Sequence, residues 1–149
     1  MSQPDQLDQR DFNRLSAEAY AEGSTIEQKT ALWRAVFQLK EWHFIARGQF
    51  PDVTPYVARN ASIANGESLV KAFTDVPKLQ AFAKANGLTD EKGEVLFLAM
   101  PVPGFMETLR NYQELGVFGI HFNADARDAG FYASLPQLAG IRDFVCKNG

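Results

Sequence analysis

The stretch Ser68–Gly87, SLVKAFTDVPKLQAFAKANG, constrains the fold more than any other part of this chain. Leu69 to Phe73 is apolar apart from Lys71, and Val70 and Phe73 favour extended backbone, so these residues predict a mostly buried strand. Thr74 and Asp75 supply the side-chain oxygen of a helix N-cap, and Pro77 falls in the first turn, where a missing N–H is harmless. Leu79, Phe82 and Ala83 then recur at helical spacing, and Asn86-Gly87 suits a left-handed stop. A helix with one apolar side must lie on something flat, most simply the sheet that holds its own strand.

The flanking sequence extends this pattern in both directions. Residues 1–9 read as a tail. Residues 10–22 form a peripheral helix with a thin apolar face of Phe12, Leu15 and Ala19. Ser24 and Glu27 fit a capping box that opens a second helix to about Lys40, with Leu32, Trp33, Val36 and Phe37 inward. Trp42 to Arg47 alternates as a strand, and Thr54 to Ala58 reads as another. Asn65-Gly66, between Ile63 and Leu69, predicts a two-residue hairpin loop. Val95 to Met100 is continuously apolar and predicts a strand covered on both faces. A helix to about Leu115, a strand Val117–Phe122 with Gly119 at a close helix approach, a short strand at Phe131-Tyr132 and a last helix from Ser134 complete the order. The expected fold is α/β or α+β: one mixed β-sheet of about five to six strands, with helices packed on it and two helices before it. Residues 1–22 are expected as an acidic tail and peripheral helix, and residues 23–149 as a single domain. Phe73, Leu79, Phe82, Phe97, Leu98, Leu109 and Ile120 are the expected shared core.

Two junctions, FTDVPKL and YASLPQL, place an aromatic residue, a cap, then Pro and Leu in the same order. The runs YVARNASIANGESLVKAFTDVPKLQAFAKANGL, VLFLAMPVPGFMETL and VFGIHFNADARDAGFYASLPQLAGI together resemble the N-terminal domain of the SseB-like proteins. The resemblance covers about residues 30–143 and rests on short turn and core motifs. It implies a small cytoplasmic bacterial protein, of a family named for a serine-sensitivity phenotype and without assigned catalytic residues. Longer members carry a second domain. The helical N-terminus of this chain has no counterpart in the shared pattern.

The chemistry-bearing residues are few. The chain has 149 residues, two histidines (His43 and His121) and one cysteine, Cys146. A zinc site needs three or four such ligands or carboxylates in their place, and both histidines sit within strand patterns. Asn123 to Asp128 echoes a calcium loop, but Arg127 stands where an oxygen ligand belongs. Cys146 lies near the C-terminus with no positioned base. Glycine-rich phosphate loops and a nucleophile elbow are both missing from the sequence. Asp75 is explained by capping. No catalytic, metal or cofactor-binding residue is assigned.

The net charge of −3 is carried by residues 1–22, where five acids face Arg10 and Arg14. The rest is neutral and shows no basic stripe, so nucleic acid is not an expected partner. No apolar run approaches the ~20 residues of a membrane span, and a single cysteine fits a reducing cytoplasm. The expected role is protein–protein interaction or regulation, with a protein partner or a weak homodimer. Trp42, Phe50 and Tyr56, on or beside the first two strands, are the candidate interaction residues, and Asp125, Arg127 and Asp128 a candidate polar loop. The competing expectation is a hydrolase or transferase built from ordinary polar residues near His121, Asp125 and Asp128.

Overall fold

The structure is a computed structural model that describes residues 9–47, 54–59, 64–124 and 130–147. Two helices, α1 (Gln9–Ala19) and α2 (Ile26–Gln38), precede β1 (Glu41–Arg47). β2 (Thr54–Pro55), β3 (Val57–Arg59) and β4 (Ser68–Phe73) follow, then α3 (Val76–Ala85) and β5 (Phe97–Pro101). The chain continues through α4 (Val102–Glu107), α5 (Leu109–Glu114), β6 (Gly119–Phe122), β7 (Phe131–Ser134) and α6 (Leu135–Lys147). The fold is a mixed seven-stranded sheet with helices on both faces.

β1 is central. It pairs antiparallel with β5 from Glu41↔Pro101 to Ile45↔Phe97, and with β4 at His43↔Phe73 and Phe44↔Ala72. Beyond Phe44 the strands diverge, and β2 and β3 fill the fork, β2 against β1 and β3 against β4. Tyr56 spans the gap: its N–H donates to Ile45 O (2.8 Å), and its own carbonyl accepts from Lys71 N (3.0 Å). The predicted second strand is thus one extended segment broken at Tyr56, which raises the strand count to seven. β6 runs parallel to β4, from Leu69↔Gly119 to Ala72↔Phe122, and β7 returns antiparallel to it.

The stretch Ser68–Gly87 folds as its sequence demands. Every residue of β4 is buried. Asp75 caps α3, its Oδ1 accepting from Lys78 N at 2.8 Å, and Gly87 takes φ 68° beyond the helix. The second junction repeats the device as a reciprocal box: Gln137 N donates to Ser134 Oγ (3.2 Å) and Ser134 N to Gln137 Oε1 (3.1 Å).

Several expectations are corrected. The cap of α2 is Thr25 with Gln28, one residue beyond the predicted Ser24–Glu27 pair. Asn65 and Gly66 do take left-handed φ of 57° and 76°, but within a 3-10 turn over Ala64–Gly66. The register Arg59↔Ser68 then leaves a longer connection than a two-residue loop allows. The helix predicted to Leu115 breaks at Thr108 into α4 and α5, the Thr108 hydroxyl donating to Phe105 O at 2.7 Å. Gly119 is approached by a strand: a Cβ there would lie 2.3 Å from Ala133 O on β7.

The expected single core is two cores separated by the sheet. The larger lies under α1, α2, α4, α5 and α6 and holds Phe12, Trp33, Trp42, Phe44, Phe105, Leu109, Ile120, Phe122 and Phe131. The smaller lies under α3 alone and holds Ile45, Phe73, Leu79, Phe82, Ala83 and Ala124. α1 gives Phe12 and Ala19 to the larger core, with Leu15 packed against it, the face its spacing predicts. β5 is not covered on both faces: Phe97 is 38% exposed and Leu98 only half-buried, because among the described residues β5 has β1 as its one strand neighbour and α3 packs on β1 and β4.

Candidate functional site

Period-two alternation puts Leu69, Lys71 and Phe73 on the α3 side of β4, and the parallel register brings His121 of β6 beside Lys71. Lys71 Nζ lies 2.9 Å from His121 Nδ1, and both residues are buried. The ammonium also sits over the Phe82 ring, 5.6 Å from its centroid, and the His121 ring meets Tyr132 edge-on at 6.4 Å. The sequence marks Lys71 only as the one polar residue within Leu69–Phe73. A charged residue between apolar neighbours in a buried strand is the signal that could have found it.

One residue on, the ends of β4 and β6 are clasped. Asn123 Oδ1 accepts from Thr74 N at 2.9 Å, its Nδ2 donates to Thr74 Oγ1 at 3.1 Å, and its backbone N–H donates to Ala72 O at 2.9 Å. Asn123 takes φ 57° to do so, a conformation that asparagine tolerates better than most residues. His43 lies on the same side of the sheet. Its Nε2 is 3.9 Å from Glu41 Oε1, and its Nδ1 is buried without a hydrogen-bond partner among the described residues.

Of the expected interaction residues, the described structure places Trp42 and Tyr56 on opposite sides of the sheet. Trp42 is fully buried, its indole N–H donates to Val36 O at 3.0 Å, and its ring packs on Phe37, Phe105 and Phe122. It belongs to the core because the even positions of β1 face the helix layer. Tyr56 is half-buried on the opposite side, 6.4 Å from the Phe82 ring. Phe50 and the loop residues Asp125, Arg127 and Asp128 lie outside the described residues. Among the described residues no group of three or more His, Cys, Asp or Glu side chains is placed to hold a metal ion. No helix among them is long and apolar enough to cross a membrane.

The exposed apolar surface gathers elsewhere. A groove of about 490 Å³ runs between the end of α1, α2, β7 and α6. Tyr20 (53% exposed), Ile26 (68%), Tyr132 (42%) and Phe144 (54%) stand around it. Trp33 and Ile141 form part of its wall, and Lys29 is the charged side chain among its described lining residues. Burial raises the pKa of the Tyr20 phenol above its ordinary value; a hydrogen bond with Trp33 pulls it partly back, and Tyr132 adds to the rise. These residues come from two stretches far apart in the chain, Tyr20–Trp33 and Tyr132–Val145, so no local motif announces the groove. The size and mostly apolar lining suit a binding site, with the two tyrosines, Lys29, Thr30 and Gln137 as its polar groups.

Comparison with protein-family models, curated proteins and solved structures finds no match.

Proposed function

We propose that this chain is a small SseB-like module that binds another protein and carries no catalytic site, acting in a reducing cytoplasm. One observation carries the reading. Of the eight large apolar residues exposed on the described surface, four (Tyr20, Ile26, Tyr132 and Phe144) border a single groove. Apolar residues scattered singly are ordinary, whereas a gathered aromatic patch with a polar rim is the signature of a protein contact. The resemblance to the SseB-like N-terminal domain supports the same role, since it brings no catalytic residue with it.

Site-specific photo-crosslinking in the native host tests this. A crosslinker at Ile26 or Tyr132 is expected to trap a distinct protein that the same group at Leu115, 80% exposed on the far end of α5, does not. Equal adducts at all three positions would remove the groove from the function.

The Lys71–His121 pair favours a second reading, a hydrolase or transferase centred on His121 with Asp125 and Asp128. Both members of the pair are inaccessible to a substrate as the described residues stand, so this reading ranks below the first. An activity abolished by His121→Gln, with unchanged thermal stability, would reverse the order.

A further inference from the structure

The pairing of β5 with β1 fixes which backbone groups of β5 remain open. Ala46 N donates to Leu96 O at 2.9 Å, and Val102 N donates to Lys40 O at 3.1 Å. With Phe44 opposite Leu98 and Trp42 opposite Met100, the even-numbered residues of β5 bond to β1. The N–H and C=O of Phe97 and Ala99, and the C=O of Pro101, therefore point away from the sheet. β5 has no second strand neighbour among the described residues.

This edge lacks the devices that keep sheet edges apart. Phe97-Leu98-Ala99-Met100-Pro101 carries no charge, and Leu96 and Phe97 are exposed beside it. Only Pro101 blunts it, and only at its end. The opposite edge differs. On β7, Leu135 N donates to Phe118 O, so Phe131 and Ala133 bond to β6, and Ser134 N is used by Gln137. That leaves Tyr132 alone facing outward, too little for a ladder.

We propose that β5 pairs with β5 of a second copy of this chain, antiparallel about a twofold axis at Ala99, making one continuous sheet across two subunits. The occupant follows from the self-complementarity of the strand. At the axis, Ala99 and its symmetry mate exchange both backbone bonds, and two methyl groups meet without a clash. Phe97 N–H then reaches the free carbonyl of Pro101 of the partner subunit. Leu98 falls beside the partner's Met100 on the helix-covered side, an apolar pair on each half. Glu94 and the partner's Glu94 lie at opposite ends of the pair, so like charges do not meet. The contact is short, so the dimer is reversible.

Sedimentation equilibrium over a wide concentration range, with amide hydrogen exchange read at both ends of it, tests this. The wild-type chain should pass from monomer to dimer, and the Phe97 and Ala99 amides should gain protection only in the dimer. Ala99→Pro removes an outward donor and leaves the β1 ladder intact; it should weaken dimerisation about tenfold or more without loss of fold. Leu98→Pro removes an inward donor and should unfold β5 instead. Should Ala99→Pro fail to fold, Phe97→Lys places a charge on the same edge and should give a folded monomer. A chain that stays monomeric throughout, a dimer whose Phe97 and Ala99 amides stay unprotected, or a dimer that survives Phe97→Lys would each overturn the proposal. The groove variants stand on the far edge of the sheet, so loss of crosslinking at Ile26 and loss of this dimer are separable.

Discussion

Lys71 and His121 meet across two parallel strands, Nζ to Nδ1 at 2.9 Å, both out of contact with solvent. A buried hydrogen bond is modest when made and expensive when half removed, because the remaining partner keeps its desolvation cost. Lys71→Met should therefore destabilise by about 1–3 kcal/mol, and His121→Leu by a similar amount. The double variant should be less destabilised than the sum, with a coupling of about 0.5–3 kcal/mol. Urea unfolding of the four proteins checks this; strict additivity would mean the two side chains do not depend on each other.

Asn123 does two things at once: it adopts a left-handed backbone and binds Thr74 through both ends of its amide. Two substitutions separate them. Asn123→Gly keeps the conformation and loses the bonds, whereas Asn123→Ala loses the bonds and adds strain of about 1–2 kcal/mol. Alanine should thus be the worse replacement by about that margin. A smaller loss with alanine than with glycine would show that the φ of 57° carries little strain.

Those two relationships mark where the sequence stopped being legible. Local devices were readable in advance: the Asp75 cap, the Gly87 stop, the YASLPQL junction and the burial of β4 all follow from residues within a few positions of one another. Lys71 and His121 are fifty positions apart, and nothing in either strand names the other as its neighbour. Sheet order was hidden for the same reason. A continuous apolar run predicts a strand, but whether both faces are covered depends on which strand ends the sheet. β5 reads like an interior strand and is an edge among the described residues. Trp42 shows the converse: an aromatic residue beside a loop suits either a core or a surface patch, and the parity of β1 sends it inward. The groove joins the end of α1 to α2, β7 and α6, so it exists only once the chain has folded.

Phe82 and Phe97 test the division into two cores. Phe82 is buried against Phe73, with ring centroids 5.6 Å apart, and sits under Lys71 Nζ. Phe82→Ala should cost about 3–5 kcal/mol. Phe97 is more than one-third exposed at the β5 edge, so Phe97→Ala should cost far less, about 1 kcal/mol or under. Urea midpoints measured at dilution, where no subunit contact persists, give the comparison. Equal losses would return Phe97 to the core and close the β5 edge.

The Tyr20 phenol adds to the alkaline sensitivity of the fold. Burial holds its folded pKa above the unfolded value, only partly offset by the hydrogen bond with Trp33, and the phenol of Tyr112 is raised by burial alone. A raised folded pKa means that the folded state keeps its proton after the unfolded state has lost it. The contribution is therefore whole below the unfolded value of about 10 and is lost as pH climbs through the folded one. Melting temperature should fall as pH rises past about 10, and Tyr20→Phe should flatten part of that fall while leaving the neutral-pH value nearly unchanged. Tyr112→Phe should flatten a further part. Because Tyr20 is more than half exposed, its share is small. Superimposable pH profiles for the wild type and Tyr20→Phe would show that the groove does not hold the phenol out of water.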